Sequence, residues 1–206
     1  MDQRSDEWFA ARLGKVTASR VADLMAKTKS GPSASRATYM ADLIVERMTG
    51  QRAEGFTSAA MIWGTETEPQ ARAAYEFLTD AEVTETGFVL HPSIPDFGAS
   101  PDGLVGEDGL LEVKCPATAT HIETLLTEAV PAKYITQMQA QMACTGRAWC
   151  DFVSFDPRMP GDMQLWVKRV PCDPAFMSAM EGEVQAFLAE LAQKLDALTE
   201  RYAVAA

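Results

Sequence analysis

The sequence predicts an α/β fold of the α+β type, in which a central mixed sheet is flanked by helices. Three observations support this prediction. Residues 1–80 carry apolar side chains at helical spacing, residues 81–170 combine strand patterns with turn signals, and residues 171–206 contain one long amphipathic pattern. A chain of 206 residues is short enough for a single domain made of these three parts.

Four helices are expected in the mainly helical residues 1–80. Their expected starts are Ser5 for the first, Thr17 or Ser19 for the second, about Ser35 for the third and about Ser58 for the fourth. A loop at residues 30–32 separates the second helix from the third, and Gly50 ends the third. Pro69 should kink the fourth helix or mark a new start.

The middle of the chain is expected to form the catalytic sheet. The predicted strands are Val83–Leu90, Phe97–Val105, Leu110–Lys114, Ala148–Phe155 and Met163–Val170. The sequence Gly-Glu-Asp-Gly at residues 106–109 predicts a hairpin between the second and third strands. Residues 118–127 and a segment from Pro131 through Met142, ended by Gly146, are expected to be helical.

The last part of the chain should be one helix over residues 173–203. Its apolar stripe is most simply explained as core packing, with partner binding as the alternative. The stripe consists of Phe176, Met180, Val184, Phe187, Leu191, Leu195 and Leu198.

Composition excludes several classes of protein. Hydrophobic residues make up 47% and charged residues 23%, as in an ordinary globular protein. The longest apolar run, Ala59–Trp63, is far too short to span a membrane. The first residues lack the apolar segment of a secretory signal, so we expect a cytoplasmic protein with no membrane partner.

The formal net charge of -11 argues by itself against a nucleic-acid partner, because Lys and Arg drive phosphate binding. The charge is unevenly distributed, however. Residues 1–60 hold 9 basic and 7 acidic residues, whereas residues 61–172 hold 7 basic and 16 acidic residues. Residues 12–36 hold six basic residues and only one acidic residue. This segment is either a solvated helical surface or a site for an anion.

Cysteine and histidine patterns exclude further chemistry. The four cysteines form no C-x-x-C pair and lack histidines at zinc-ligand spacing, so we expect buried free thiols. The two histidines, His91 and His121, lie in no hydrolase motif and are expected to be structural or on the surface. Any catalysis should therefore use carboxylates, together with a hard metal ion.

The predicted hairpin carries such carboxylates. A turn centred between Glu107 and Asp108 would place Gly103 opposite Glu112, and thus Asp102 beside Glu112. Glu112 and Lys114 would share one face of the strand while Val113 points into the core. Two close carboxylates repel unless a cation lies between them, and Mg²⁺ prefers oxygen ligands. Lys114 could orient a water or stabilise charge on a phosphate.

This arrangement is the P-D…E-x-K signature of metal-dependent phosphodiesterases. On the hairpin residues alone, a second interpretation is equally open. Pro101-Asp102-Gly103 could simply be a tight turn, and Lys114 could form a cross-strand salt bridge.

Further segments favour the first interpretation. Glu68 lies in WGTETEPQAR, Gln137 lies in KYITQMQAQM, and Arg12 and Ser19 lie in ARLGKVTAS. Together with DPRM at residues 156–159, these segments resemble the bacteriophage lambda exonuclease family, also called YqaJ-type viral recombinases. The similarity extends from about residue 7 to about residue 190.

The resemblance implies a restriction-endonuclease-like PD-(D/E)XK core. It also implies a Mg²⁺-dependent exonuclease that digests one strand of linear duplex DNA from its 5′ end to mononucleotides, leaving 3′ tails for recombination. Two Mg²⁺ ions are implied, with Mn²⁺ as a substitute. The implied assembly is a ring-shaped homotrimer that works with a single-strand annealing protein in the cytoplasm of a bacterial host.

By the same resemblance, Asp102, Glu112 and the backbone carbonyl of Val113 are implied metal ligands, and Glu68 supports the second metal. Lys114 is similar to the catalytic lysine. Gln137 is similar to the glutamine that holds this lysine or the attacking water.

Arg12, Ser19 and Ser100 resemble the pocket for the 5′-phosphate, which suits one guanidinium and two hydroxyls. The resemblance also implies DNA contacts for Tyr134 and Met61, with Met61 as an apolar wedge between base pairs. Core packing is the alternative for Met61 and Trp63.

Two other functions remain alternatives. An iron–sulfur nuclease on the same core would need a cysteine early in the chain, whereas the first one here is Cys115. A non-catalytic or differently polarised DNA-end-binding recombination protein could share the fold. The full set of acidic residues and Lys114 argues against it.

Overall fold

The computed structural model describes residues 2–29, 31–53 and 58–202, which form a mixed α/β fold. The seven helices within these residues are α1 (Asp6–Arg12), α2 (Val21–Met25), α3 (Ala34–Thr49), α4 (Ala59–Thr79), α5 (Thr118–Thr127), α6 (Ala132–Thr145) and α7 (Pro174–Tyr202). The strands are β1 (Val16–Thr17), β2 (Lys27–Thr28), β3 (Gly31–Pro32), β4 (Val83–Thr84), β5 (Val89–Leu90), β6 (Phe97–Ala99), β7 (Gly103–Val105), β8 (Gly109–Lys114), β9 (Trp149–Phe155) and β10 (Leu165–Pro171). None of the described helices is long and apolar enough to cross a membrane.

The main sheet has five strands in the order β10-β9-β8-β7-β4. Strand β8 is central; it runs parallel to β9 and antiparallel to β7. A central strand has both faces covered, which explains why the apolar Leu110, Leu111 and Val113 are all buried. The fold class predicted from the sequence, a mixed sheet flanked by helices, is confirmed.

The alternation of side chains along β8 decides which helix each face of the strand contacts. Leu111 and Val113 pack with Tyr75 on α4. Leu110 packs instead with Met138 and Met142 on α6. Successive side chains of a strand point to opposite faces, so Glu112 and Lys114 share the face that α6 covers.

A second layer is built around α7. Its predicted apolar stripe is buried against α2 and α3, with Met180, Val184, Phe187 and Leu191 in one core cluster. Core packing of this stripe is therefore confirmed from Phe176 to Leu195; Leu198 lies outside the cluster. The helix continues to Tyr202, and the predicted end at residue 203 lies outside the described residues.

The smaller three-stranded sheet, β1-β6-β5, corrects two strand predictions. Phe97–Val105 is not one strand, because Pro101 lacks an N–H and the chain turns at residues 100–102 between β6 and β7. Val83–Leu90 is also split, because β4 pairs with β7 whereas β5 pairs with β6. Side-chain alternation does not encode which sheet a short strand joins.

The predicted register of the hairpin is wrong by one residue. Gly103 lies opposite Leu111 rather than Glu112, and Val105 lies opposite Gly109. The connection is a three-residue loop in which Gly106 takes a positive φ of 53°. Gly109 pairs within the ladder because its missing side chain makes room for the Trp149 ring.

Some of the predicted helix boundaries are confirmed and others are wrong. Ser5 and Ser58 cap α1 and α4 as expected, and Gly50 and Gly146 end α3 and α6. The third helix begins one residue before Ser35, after the Ser33 cap. The predicted caps Thr17 and Ser19 are wrong, because Thr17 pairs with β6 and residues 18–20 form a 3₁₀ turn before α2.

Two further positions differ from expectation. Pro69 marks no new start, since α4 runs through it as one element of 21 residues. Of the predicted loop at residues 30–32, residues 31 and 32 form β3 against β2, and residue 30 lies outside the described residues.

Substitution of Gly109 tests the close approach to Trp149. We expect Gly109→Ala to lower the free energy of unfolding by about 1–3 kcal/mol, because the new methyl group overlaps the indole ring. Urea denaturation measures the change. Gly182→Ala, in open space on α7, is the control and should be neutral or slightly stabilising. An unchanged urea midpoint for Gly109→Ala would contradict the prediction.

Candidate active site

Glu112 is the centre of the candidate site and is fully buried on β8. Its Oε1 accepts a hydrogen bond from Gln137 Nε2 at 2.7 Å, and its Oε2 accepts one from Gln141 Nε2 at 2.6 Å. Lys114 Nζ forms an ion pair with Oε1. The carboxylate is thus held by two amides from α6 and one ammonium from its own strand.

Asp102 lies beside this group, just before β7. Its Oδ2 accepts a hydrogen bond from the backbone N–H of Val113 at 2.7 Å. Burial and the neighbouring charge of Glu112 raise the pKa of Asp102 to about 8, and Glu68 adds to this effect. Burial and the neighbouring carboxylates therefore both disfavour the ionised form of Asp102.

Lys114 carries the compensating positive charge. Burial alone would lower its pKa, but the charges of Glu112 and Asp102 outweigh burial and raise this pKa above that of a free lysine. The ammonium also lies over the ring of Tyr134, 5.2 Å from its centroid. Tyr134 in turn stacks on Phe152 of β9. It does not line the cavity that contains Arg12, so it belongs to the surroundings of Lys114.

Glu68 approaches from α4, but its own charge is compensated. Its Oε2 pairs with Arg4 at 2.9 Å and its Oε1 with Arg72 at 3.3 Å. Arg72 also pairs with Glu85. The two arginines hold this carboxylate at the edge of the site.

The donor set suits a hard cation. Asp102, Glu112 and Glu68 offer only oxygen atoms, and burial together with the charge of Glu112 raises the pKa of Asp102, which Lys114 only partly offsets. In the part of the chain that the structure describes, no three acidic, histidine or cysteine side chains form a complete metal cage. Mg²⁺ requires no such cage, because it is commonly held by one or two carboxylates and retains several waters.

A second site lies in a cavity of about 710 Å³ between α1, α3 and the start of α4. Arg12, Ser19 and Met61 all line it. Arg12 Nη1 donates a hydrogen bond to Ser100 Oγ at 3.1 Å. The structure thus brings Arg12 into contact with Ser100 and places Ser19 in the same cavity.

Trp8 completes this arrangement. Its Nε1–H donates to Ser100 Oγ at 2.9 Å, and the Arg12 guanidinium lies 4.1 Å from the centroid of its ring. A hydroxyl oxygen accepts two hydrogen bonds, so Trp8 and Arg12 leave the hydrogen of Ser100 to be donated to a further acceptor. A phosphate oxygen is one acceptor that this hydroxyl can serve.

Arg12 needs an anion on electrostatic grounds. Within residues 2–29, 31–53 and 58–202, no carboxylate lies within ion-pair distance of it. Burial lowers its pKa to about 10, so it stays charged at neutral pH. A partly buried cation without a counter-ion is unfavourable, which makes the cavity suited to a small anion.

Met61 and Trp63 have different surroundings. Met61 is 58% exposed, so core packing is wrong for this residue, and it stands at the rim of the cavity. Trp63 packs against the core cluster between α4 and the main sheet, and Arg158 lies 4.4 Å from the centroid of its ring. Core packing is confirmed for Trp63.

The two sites adjoin through the chain itself. Ser100 contacts Arg12, which lines the anion cavity, and Asp102, two residues later, belongs to the carboxylate site. The Cα atoms of Ser100 and Asp102 are at most about 7 Å apart. The turn at residues 100–102 that interrupts the predicted strand is therefore what connects the two sites.

The histidines and cysteines lie outside the site, as expected. His121 contacts Ser154 Oγ at 2.8 Å and the carbonyl of Met163 at 2.8 Å, and His91 accepts two backbone N–H bonds in its own loop. All four thiols are free; Cys172 is half-buried and the others are buried.

Sequence analysis missed three contributors. They are Trp8, which contacts Ser100, Gln141, which contacts Glu112, and Arg4, which pairs with Glu68. For Gln141 a signal existed, because it follows Gln137 by four residues and so lies on the same face of α6. No sequence signal connects Trp8 with Ser100, which is 92 residues away.

Comparisons with known proteins agree with this structure. LHK-Exo, an alkaline exonuclease from Laribacter hongkongensis, is 56% identical, with a TM-score of 0.91 over 98% of this chain and 100% of that chain. Its complex with dAMP matches equally well. A phage-related exonuclease from Haemophilus somnus is 15% identical and has a TM-score of 0.73 over 89% of this chain and 96% of that chain, which supports the fold alone.

Sequence comparison gives the family. No curated protein matches the chain significantly. Residues 7–148 match the model of the YqaJ-like viral recombinase domain, which is more than half of the chain. The protein whose carboxylates and anion cavity are described above therefore belongs to the family of YqaJ-like viral recombinase domains.

Proposed function

We propose that the protein is a Mg²⁺-dependent exodeoxyribonuclease that digests one strand of linear duplex DNA from its 5′ end. It would release mononucleotides and leave 3′ single-stranded tails for recombination by strand annealing. Family membership and the 56% identity to an alkaline exonuclease support nuclease activity. The dAMP complex of that relative supports a deoxynucleotide as product or ligand.

The observation that carries the proposal is the short link between the two sites. Arg12 and Ser100 suit a terminal phosphate, and Asp102 follows Ser100 by two residues. A 5′-phosphate held in the cavity would place the next phosphodiester of the same strand near Asp102, Glu112 and Lys114. Cleavage there releases one nucleotide at a time.

Each residue of the carboxylate site has a role in the proposed chemistry. Asp102, Glu112 and the carbonyl of Val113 would hold Mg²⁺, and Glu68 would support a second ion. The metal would supply positive charge and would lower the pKa of a bound water. Gln137 holds Oε1 of Glu112 in place. The protonated Lys114 stabilises the negative charge that builds up on the phosphate during attack. This division of roles is that of a PD-(D/E)XK nuclease.

Digestion of end-labelled DNA tests the proposal. With a linear duplex radiolabelled at its 5′ phosphates or at its 3′ ends, we expect labelled mononucleotides early only from the 5′ label. EDTA should stop the reaction, and Mn²⁺ should replace Mg²⁺. Lys114→Met should lower the rate about 100-fold or more, because the stabilising charge is lost.

Lys194→Met is the matched control for this variant. Lys194 pairs with Glu190 on α7 and should leave digestion unchanged when replaced. Early release from the 3′ label would favour a differently polarised enzyme. Tight binding of DNA without cleavage in Mg²⁺ or Mn²⁺ would favour a non-catalytic end-binding protein.

The anion cavity generates a separate prediction on 5′ ends. Arg12→Gln should reduce the ratio of digestion rates on 5′-phosphorylated and 5′-hydroxyl duplexes about tenfold or more, as expected for lost charge-assisted hydrogen bonds. Trp8→Phe keeps a ring against Arg12 but removes the donor to Ser100, so it should reduce the same ratio to a smaller extent.

Lys27→Gln is the control for Arg12→Gln. Lys27 lies in the same basic segment as Arg12, but it pairs with Glu183 and does not line the cavity. Its replacement should leave the ratio unchanged. Equal losses on both substrates for Arg12→Gln would argue against a 5′-phosphate pocket.

We also propose a ring-shaped homotrimer and a single-strand annealing protein as partner, on the resemblance to the family. Light scattering of the pure protein should give three times the 22.4 kDa of one chain. A monomeric mass at micromolar concentration would exclude the ring.

A further inference from the structure

Gln141 contacts Glu112 from the protein interior. It is fully buried on α6, one turn after the half-buried Gln137. Its Nε2 donates to Glu112 Oε2 at 2.6 Å. Since solvent does not reach Gln141, it acts on the site through Glu112.

The orientation of the Gln141 amide is fixed by its second contact. Its Oε1 lies 4.0 Å from the thiol sulfur of Cys150 on β9, which can donate a weak hydrogen bond. The reverse orientation would place an amide oxygen against a carboxylate oxygen. The NH₂ group is therefore the one that faces Glu112.

The two amides from α6 divide the oxygens of Glu112 between them. Gln137 takes Oε1 and Gln141 takes Oε2, so the plane of the carboxylate is set at both ends. Rotation about the last torsion of a glutamate is otherwise broad. An amide also carries no net charge, so it orients the carboxylate without neutralising the charge that a cation would use.

We propose that Gln141 is a positioning residue that sets the affinity of this site for a divalent cation by holding the carboxylate of Glu112 in one orientation. The inference rests on the proposed metal-dependent function. Groups that orient a ligand from behind typically change metal affinity 10–100-fold when removed. Gln141 itself touches neither metal nor DNA.

Gln141→Leu tests the inference, with Gln139→Leu as the matched control. Gln139 is buried on the same helix, but it donates to the carbonyl of Pro171 and accepts from the backbone N–H of Asp173, away from the site. Mn²⁺ binding to the DNA-free protein, followed by electron paramagnetic resonance, should be about 10–100-fold weaker in Gln141→Leu. It should be unchanged in Gln139→Leu.

Activity gives a second measurement. The Mg²⁺ concentration for half-maximal digestion should rise in Gln141→Leu by the same factor as the Mn²⁺ dissociation constant. Saturating Mg²⁺ should restore most of the wild-type rate. A merely structural defect would lower the rate at every Mg²⁺ concentration and would not shift this midpoint.

The remaining outcomes separate the two proposals. Unchanged Mn²⁺ affinity in Gln141→Leu, with normal binding and cleavage by the wild type, would overturn the role of Gln141 alone. Absence of Mn²⁺ binding and of digestion in the wild type would overturn the proposed function. If Gln141→Leu does not fold, Gln141→Met keeps the length of the side chain without a donor. It must then show the same shift.

Discussion

The arrangement of the site depends on one buried carboxylate. Glu112 is placed on the central strand of the main sheet, where no solvent reaches it. A charge in such a position is strongly unfavourable unless it is paired and hydrogen-bonded. The fold meets this requirement with Lys114 on the same strand and with Gln137 and Gln141 on the covering helix α6. The packing of α6 on β8 therefore forms part of the core and also holds the site together.

The interruption between β6 and β7 is the second constraint. In a continuous strand over residues 97–105, Ser100 and Asp102 would point to the same face of one sheet. The break at Pro101 ends β6 at Ala99, and β7 begins at Gly103 in the other sheet. The backbone N–H of Asp102 still donates to the carbonyl of Leu111 at 3.1 Å, which keeps the carboxylate against β8. Local loss of sheet pairing is what joins the anion cavity to the carboxylates.

Sequence reasoning recovered what is encoded locally. Helix caps such as Ser5 and Ser58, and the grouping of Asp102, Glu112 and Lys114, follow from short-range spacing. The register of the hairpin was missed because Gly109 pairs with Val105, which shortens the connection from the four residues 106–109 to three. Contacts between distant segments left no local pattern. Trp8 meets Ser100 and Gln141 meets Glu112 only after the sheet and helices have packed.

The pairing of individual charges, rather than the net charge of -11, explains how the chain can present a site suited to an anion. Three of the six basic residues of the segment 12–36 form ion pairs in the structure. Arg20 pairs with Asp42, Lys27 with Glu183 and Arg36 with Glu190. Arg12 differs, because its surroundings are the Trp8 ring and the Ser100 hydroxyl instead of a carboxylate.

Lys15 and Arg52 also line the cavity, but Arg12 is the cation that contacts Ser100. The acidic surface elsewhere does not cancel this charge, because exposed charges more than a Debye length away, about 8 Å at physiological salt, are largely screened. Under the proposed function, a terminal phosphate would meet the Arg12 guanidinium in a partly enclosed cavity, where each hydrogen bond to a charged group is worth more than on the surface. Net charge would then set how the whole molecule repels DNA, whereas Arg12 would set where an end binds.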